Sequence, residues 1–413
     1  MECGLLERKE NQPTDIIVST SAKKILHRID AIINAITVMP DGGADSATDF
    51  NVCLRMVDKT AHTNFTAHWI DPACGKGSVL LAKIKRLIEN GCDVETAVSL
   101  VHGVDIDQSQ VDHAKINIQR ATGYVPDVVC DNSLQKEFDM EFDGYITNPP
   151  YKGQSMLHQQ FFNLGVEIVK DGGQVVCLQP GIAYFNKKEK TDDKSQVMRD
   201  NIKKYKTKVD FVSPKVFGNA LPANDLSITT LTKVGDQDEI REVKYTSGKA
   251  YKNVKLENVN KIEMDPFIYE NITKKYKNYV SQNGSIENIT SKTHGIEKVK
   301  IAAIRGNVAI GVDWYTFIPN KNDDLRLTLG NFGIVTNGLK ENAEAIHHNL
   351  KLNSIRFGLA IYKFSTDMHG GAIRGVPLID FYKKHTDDEV YELIGITPQE
   401  QKEIERVIPA YYD

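Results

Sequence analysis

Between Ser21 and Val38 the apolar positions Ile25, Ile29, Ile32, Ile33 and Ile36 recur at helical spacing. That spacing predicts an amphipathic helix with one packed face. Pro40-Asp41-Gly42-Gly43 ends it in a loop. Beyond it, short apolar runs alternate with helical patterns. Strands are expected at Ala67–Asp71, Val101–Asp105, Asp127–Cys130, Tyr145–Thr147, Gln174–Leu178, Val209–Ser213 and Ser227–Thr232. The first five are separated by helices, which predicts parallel strands joined by crossovers. The last two flank Gly218-Asn219-Ala220-Leu221-Pro222-Ala223-Asn224, a connection suited to an antiparallel hairpin at the sheet edge. The expected fold is α/β: a doubly wound, seven-stranded, mostly parallel sheet with ligands at the carboxyl ends of its strands.

After Val234 the pattern changes to short mixed elements rich in Lys, Asn, Tyr and Gly. We therefore expect a first domain over 1–234, including the helical segment 1–40, and a second, α+β domain over 235–385. A helical tail follows over 386–413. There Thr386-Asp387-Asp388-Glu389 and Thr397-Pro398-Gln399-Glu400 each predict a capping box, with Gly395 between the two helices.

Composition narrows the classes. The six cysteines show neither paired nor zinc-ligand spacing, which points to a reducing, cytoplasmic setting. No apolar run approaches the ~18 residues that span a bilayer, so no membrane partner is expected. Net charge is −4, yet Asn186–Lys215 holds ten basic against five acidic residues, and Arg241–Lys300 twelve against seven. A basic groove on an acidic body suits a phosphate backbone; solvated lysines on exposed helices would give the same counts.

The first chemical signal is Asp71-Pro72-Ala73-Cys74-Gly75-Lys76-Gly77-Ser78, which ends a strand and opens a helix. Glycines there let the backbone approach a ligand, and the helix N-terminus offers free N–H groups. The spacing is neither Gly-x-x-x-x-Gly-Lys-Ser/Thr nor Gly-x-Gly-x-x-Gly. It suits a ligand with an amino-acid tail, whose ammonium would favour Asp71. Asp105, followed by Ile106, ends the second strand where a carboxylate can accept from both ribose hydroxyls. Asp131 follows the third strand, placed to accept from an adenine amino group. Each acid alone reads more readily as a helix cap; three in succession at strand ends is harder to explain that way.

The fourth strand ends in Thr147-Asn148-Pro149-Pro150-Tyr151. Here the chain resembles the amino-methyltransferases of DNA, whose N6-adenine members carry Asn/Asp-Pro-Pro-Tyr/Phe at this point. The order of cofactor loop, Asn-Pro-Pro-Tyr and C-terminal domain is similar to their gamma class, of restriction–modification type. The resemblance covers roughly Asp45 to Val234. It implies a Rossmann-like methyltransferase sheet, S-adenosylmethionine as cofactor, and site-specific transfer of its methyl group to adenine N6 in double-stranded DNA. The implied cofactor contacts are Thr48, Asp71, Pro72, Ala73, Gly75, Gly77, Asp105, Ile106, Asp131 and Asn148. Thr48 stands in Ser46-Ala47-Thr48-Asp49, where the family has Thr-Pro. The implied catalytic residues are Asn148, Pro149, Pro150 and Tyr151, with Tyr151 and Phe217 stacking on a flipped-out base. Residues 235–385 would read the DNA sequence, and a separate restriction endonuclease would be the cognate partner. Gln179-Pro180 and Arg199 fall where the family has pocket-wall and structural residues, and His369-Gly370-Gly371 with Arg374 lie in a glycine-rich stretch that reads as a DNA contact or equally as a loop without contacts.

Other readings stay open at this level. Asn-Pro-Pro-Tyr also occurs in methyltransferases of protein glutamine and of RNA, although a domain after the last hairpin favours DNA. A catalytically silent nucleic-acid-binding subunit would keep the fold without these four intact groups. N4-cytosine enzymes more often have Ser at the position of Asn148.

Overall fold

The computed structural model describes residues 19–37, 50–150, 157–180, 193–212, 226–235, 239–244, 250–255, 267–286, 290–291, 298–303, 314–317, 331–335, 340–362 and 374–408. The isoleucine stripe forms α1 (Thr20–Thr37), with Ile29 and Ile33 fully buried and Ile25, Ile32 and Ile36 half-buried. The loop expected at 40–43 lies outside the described residues. Next come α2 (Phe50–Val57), α3 (Ser78–Glu89), α4 (Val94–Ser99) and α5 (Gln108–Thr122). Helix α1 packs on α3 and α5, and α2 packs on α3.

These helices belong to the first of two units into which the chain divides, residues 1–148 with 168–170. Its strands are β1 (Trp69–Asp71), β2 (Val101–Asp105), β3 (Asp127–Cys130) and β4 (Phe142–Thr147), in the order β3-β2-β1-β4. All three pairings are parallel, with Trp69 opposite Val101 on one side and Gly144 on the other. Gly144 is required by that register: a Cβ there would lie 1.9 Å from the Trp69 ring. The Lys83 ammonium stands 3.7 Å from the Trp69 ring centroid, a cation–π contact. Lys83 is buried and donates to Thr60 Oγ1 at 3.0 Å and to the Ala61 carbonyl at 2.7 Å. Burial lowers its pKa to about 7.

The second unit comprises residues 149–167 and 171–413. It begins with α6 (Leu157–Ile168), β5 (Val169–Pro180), α7 (Asp193–Lys204), β6 (Tyr205–Val212) and β7 (Leu226–Gly235). Two further strands follow, β8 (Glu239–Lys244) and β9 (Ala250–Lys255), giving the order β5-β7-β6-β8-β9. Strand β7 is antiparallel to both β5 and β6, β8 runs parallel to β6, and β9 is antiparallel to β8.

The seven expected strands are all present, and among the described residues β8 and β9 join them, so that this sheet has nine strands. The β6–β7 pair is antiparallel as expected, yet it is not at the edge, because β8 and β9 lie outside it. Strand β8 reads Glu-Ile-Arg-Glu-Val-Lys and has only Ile240 and Val243 to mark an apolar face. The strands thus continue past the boundary expected at Val234.

The rest of this unit is α+β. A separate antiparallel sheet holds β10 (Thr290–Ser291), β11 (Lys298–Ala303), β12 (Trp314–Phe317) and β13 (Asn331–Val335), in the order β10-β13-β11-β12. A wide turn over Ile268–Thr273 leads into α8 (Lys274–Asn283), followed by α9 (Lys340–Leu350) and α10 (Asn353–Tyr362). The last two helices are α11 (Asp387–Ile394) and α12 (Pro398–Val407), and both capping boxes form as expected. Val390, Tyr391, Ile404 and Val407 share one buried core with Ile268, Ile272, Tyr276 and Phe357. The C-terminal helices therefore belong to the same core as α8 and α10.

Close packing at Gly144 makes a sharp prediction. Gly144→Ala should cost roughly 2–3 kcal/mol by overpacking against Trp69. Gly235→Ala, where a Cβ meets nothing within 4 Å, should stay within about 0.5 kcal/mol. Urea denaturation of both variants checks this, and an equal loss at the two sites would contradict the Trp69–Gly144 contact.

Candidate functional site

Because β3, β2, β1 and β4 are all parallel, their carboxyl ends lie at one pole. Asp131 follows β3, Asp105 ends β2, Asp71 ends β1 and Asn148 follows β4. Three strand spacings of ~4.8 Å put the outer two of these groups on the order of 14 Å apart. The four therefore form a polar row, in the order Asp131, Asp105, Asp71, Asn148.

The loop between β1 and α3 takes its shape from its glycines. Gly75 and Gly77 have φ of +50° and +86°, a region that β-carbons disfavour. Gly77 is the N-cap of α3 and brings no side-chain cap, and a Cβ there would stand 3.3 Å from the Ala114 Cβ. At Gly75 a Cβ would meet nothing within 4 Å, so the need for glycine there is conformational.

Four contacts hold this loop. Asp105 Oδ2 accepts from the Gly75 N–H at 2.8 Å, and its Oδ1 accepts from the Asp107 N–H at 3.0 Å. The Cys74 N–H donates to the Val104 carbonyl at 3.0 Å. Ser133 Oγ, buried after β3, donates to the Pro72 carbonyl at 2.6 Å. Asn117 of α5 donates to the Lys76 carbonyl at 3.0 Å. Ser133 and Asn117 escape a reading of the sequence, since a lone Ser in a turn and a lone Asn on a helix carry no signal. Asp105 keeps acceptor capacity on both oxygens, because a carboxylate offers about four lone-pair sites.

Asp71 is 2% exposed, and its Oδ1 accepts from the Ala73 N–H at 3.1 Å. Burial raises its pKa to about 7, helped by the neighbouring Asp105 charge and opposed by Thr147 and the Ala73 N–H. Thr147 is fully buried beside it; its hydroxyl favours the charged carboxyl, but Oγ1 closes no full hydrogen bond. Burial, with Asp71 and Asp105 nearby, pushes the Cys74 thiol up as well. Asp131 differs: it is exposed, ion-paired to Lys136 at 3.1 Å and accepts from the Asn132 N–H at 2.7 Å, and Lys136 holds its pKa below the ordinary value.

The remaining expected residues are distributed as follows. Pro72 and Pro149 are buried, Ala73 and Asn148 half-buried, and Pro150 exposed. Ile106, directly after Asp105, is 72% exposed, a large apolar side chain next to a carboxylate at the strand-end pole. Thr48, Tyr151 and Phe217 lie outside the described residues, as do His369, Gly370 and Gly371. Gln179 is buried and donates to Thr229 at 2.8 Å, and Arg199 is buried on α7; both read as structural. Among the described residues no helix is long and apolar enough to cross a membrane.

The row fits a nucleoside carrying an amino-acid tail. A buried acid backed by an unsatisfied Thr147 hydroxyl suits an ammonium. The open face of Gly75 and the exposed Ile106 suit the ribose and base of the same ligand.

The sequence matches the family N-6 DNA Methylase over residues 51–292. No curated protein matches the chain. Among solved structures it is similar to a Listeria monocytogenes protein described as a class I S-adenosylmethionine-dependent methyltransferase. The identity is 18% and the TM-score 0.42, over 55% of this chain and 73% of that one. It is also similar to a structure described as a modification subunit of a type I restriction enzyme from Vibrio vulnificus YJ016, at 17% identity and TM-score 0.39 over 48% of this chain and 46% of that one. A third is the methyltransferase subunit of a type I restriction–modification system from Streptococcus thermophilus, at 15% identity and TM-score 0.37 over 51% and 47%. The chain thus spans less than half the length of both restriction-system subunits. The match over residues 51–292 takes in β1 to β9 and the whole strand-end row, and by it the chain belongs to the N-6 DNA methylase family.

Proposed function

We propose that the protein transfers a methyl group from S-adenosylmethionine to the exocyclic N6 of an adenine flipped out of double-stranded DNA. One observation carries the reading. The strand order β3-β2-β1-β4 puts Asp131, Asp105, Asp71 and Asn148 in a row at one pole. That order matches adenine, ribose, amino-acid tail and methyl acceptor taken in turn. In this assignment Asp131 accepts from the adenine amino group, Asp105 takes the ribose hydroxyls, Ile106 lies against the base, and Asp71 takes the ammonium. Pro72, Ala73, Gly75 and Gly77 supply the backbone of the pocket, and Thr48 is assigned to the methionine end.

The cofactor supplies an activated methyl group on a sulfonium; the chain supplies the geometry. An exocyclic amino nitrogen is a poor nucleophile, because its lone pair is delocalised into the ring. Two acceptors drawing on its two protons free that lone pair. Asn148 offers its side-chain oxygen and Pro149 its carbonyl, and consecutive prolines hold both ready. Positioning then contributes most of the rate. Tyr151 and Phe217 are assigned to stack on the base.

We assign recognition of the DNA sequence to residues 235–385, whose first part carries the local excess of lysine. From the resemblance of Asn148-Pro149-Pro150-Tyr151 to the gamma class, we assign a separate cognate restriction endonuclease as a partner.

Two substitutions test the roles. Asn148→Ala should abolish methyl transfer while leaving affinity for S-adenosylhomocysteine nearly intact; more than about a tenth of wild-type turnover, a loss under ~1.4 kcal/mol in barrier, would refute its role. Asp105→Ala should weaken that affinity by roughly 1.5–3 kcal/mol, through loss of a charge-assisted acceptor. An unchanged titration would mean that Asp105 neither meets the ribose nor is needed to hold the loop for the cofactor.

A further inference from the structure

Asp71 is placed as few carboxylates are. It is 2% exposed, and its Oδ1 accepts from the Ala73 N–H at 3.1 Å. The titratable groups facing it are Asp105 from the end of β2 and Cys74 from its own loop. Strand β4 brings Thr147, a hydroxyl, and among the described residues no basic side chain contributes to its electrostatics. A dry carboxylate beside a second acid and without a cation is costly to ionise. The Thr147 hydroxyl serves either protonation state, since it can donate to a carboxylate or accept from a carboxylic acid. Its oxygen is fully buried and closes no hydrogen bond as it stands, an acceptor held in reserve.

We infer that the free protein carries a proton on the Asp71 carboxyl and surrenders it when the ammonium of the cofactor's amino-acid tail arrives. Cofactor capture is then an exchange of a proton for an ammonium at one buried oxygen pair, and the proton leaves to solvent. This rests on the cofactor assignment above and adds a linkage to it. The pKa of about 7 agrees with a carboxyl that is half protonated at neutral pH. An arriving cation would reverse the cause of that shift, leaving Asp71 ionised in the complex.

The test is titration calorimetry of the full chain with S-adenosylhomocysteine, in buffers of different ionisation enthalpy. Expected release is about one proton at pH 6, about half at pH 7 and close to none at pH 8.5. Affinity should fall about tenfold per pH unit below pH 7. 5′-Methylthioadenosine, which lacks the amino-acid tail, should bind without proton release. If S-adenosylhomocysteine binds with buffer-independent enthalpy across this range, the exchange is wrong while the cofactor assignment stands. Equal release with both ligands would put the proton elsewhere and also overturn it. If neither ligand binds, the cofactor assignment itself fails.

A second readout needs no ligand. The folded state holds a proton on Asp71 over the window from 3.8 to about 7, in which the unfolded chain has lost it. Wild-type stability relative to Asp71→Asn should therefore fall as pH rises through that window and level off above it. A difference that does not change with pH would contradict a protonated Asp71.

Discussion

The acceptance of the Gly75 N–H by Asp105 at 2.8 Å is the contact on which the site depends. It ties the loop after β1 to the end of β2, and it needs Gly75 at a φ of +50° to aim the N–H across. The backbone bond from Cys74 to Val104 runs alongside it, and the Asp131 N–H donates to the Asp105 carbonyl at 3.0 Å. Three strand ends are thereby fixed to one another by short polar contacts. Ser133 and Asn117 tie the same loop to the segment after β3 and to α5. A loop anchored from three directions can present its N–H groups and carboxylates to a ligand without reorganising when the ligand binds.

Beneath that polar pole the packing is tight. The Trp69 ring of β1 packs close on Gly144 of β4, with Lys83 set over its ring. Holding β1 and β4 side by side keeps Asp71 next to Thr147, and so next to the start of Asn-Pro-Pro-Tyr. The strand order thus links a core constraint to the proposed chemistry: an acid made reluctant to ionise lies one strand from the residue proposed to activate the acceptor. On that reading no residue of the chain forms a covalent bond with substrate. The protein contributes order, dryness and charge placed in advance.

Much of this was legible in the sequence. The isoleucine spacing of α1, the parallel strands β1 to β4 and both C-terminal capping boxes follow from periodicity and caps alone. Asp71, Asp105 and Asp131 stood out because acids at successive strand ends are unusual. What escaped had weak or non-local signals. Strand β8 has two apolar residues among charged ones, so it passed for the start of another domain. Thr147 read as one more strand residue, and only its place beside a buried carboxyl gives it meaning. The burial of Lys83 has no signal in the sequence, because lysine is nearly always exposed; it depends on Trp69 and Thr60, distant in the chain. Asp131 was expected to accept from an adenine amino group; that Lys136 and the Asn132 N–H also draw on its carboxylate has no signal in the sequence.

The central claim is that this polar row serves adenine N6 in DNA, and the identity of the modified base tests it most directly. Purified protein would be incubated with double-stranded DNA and S-adenosylmethionine labelled in the methyl group, and the DNA then digested to nucleosides. The account predicts label in N6-methyl-2′-deoxyadenosine alone. Label in N4-methylcytosine, or none in DNA while an RNA or protein substrate becomes labelled, would contradict it.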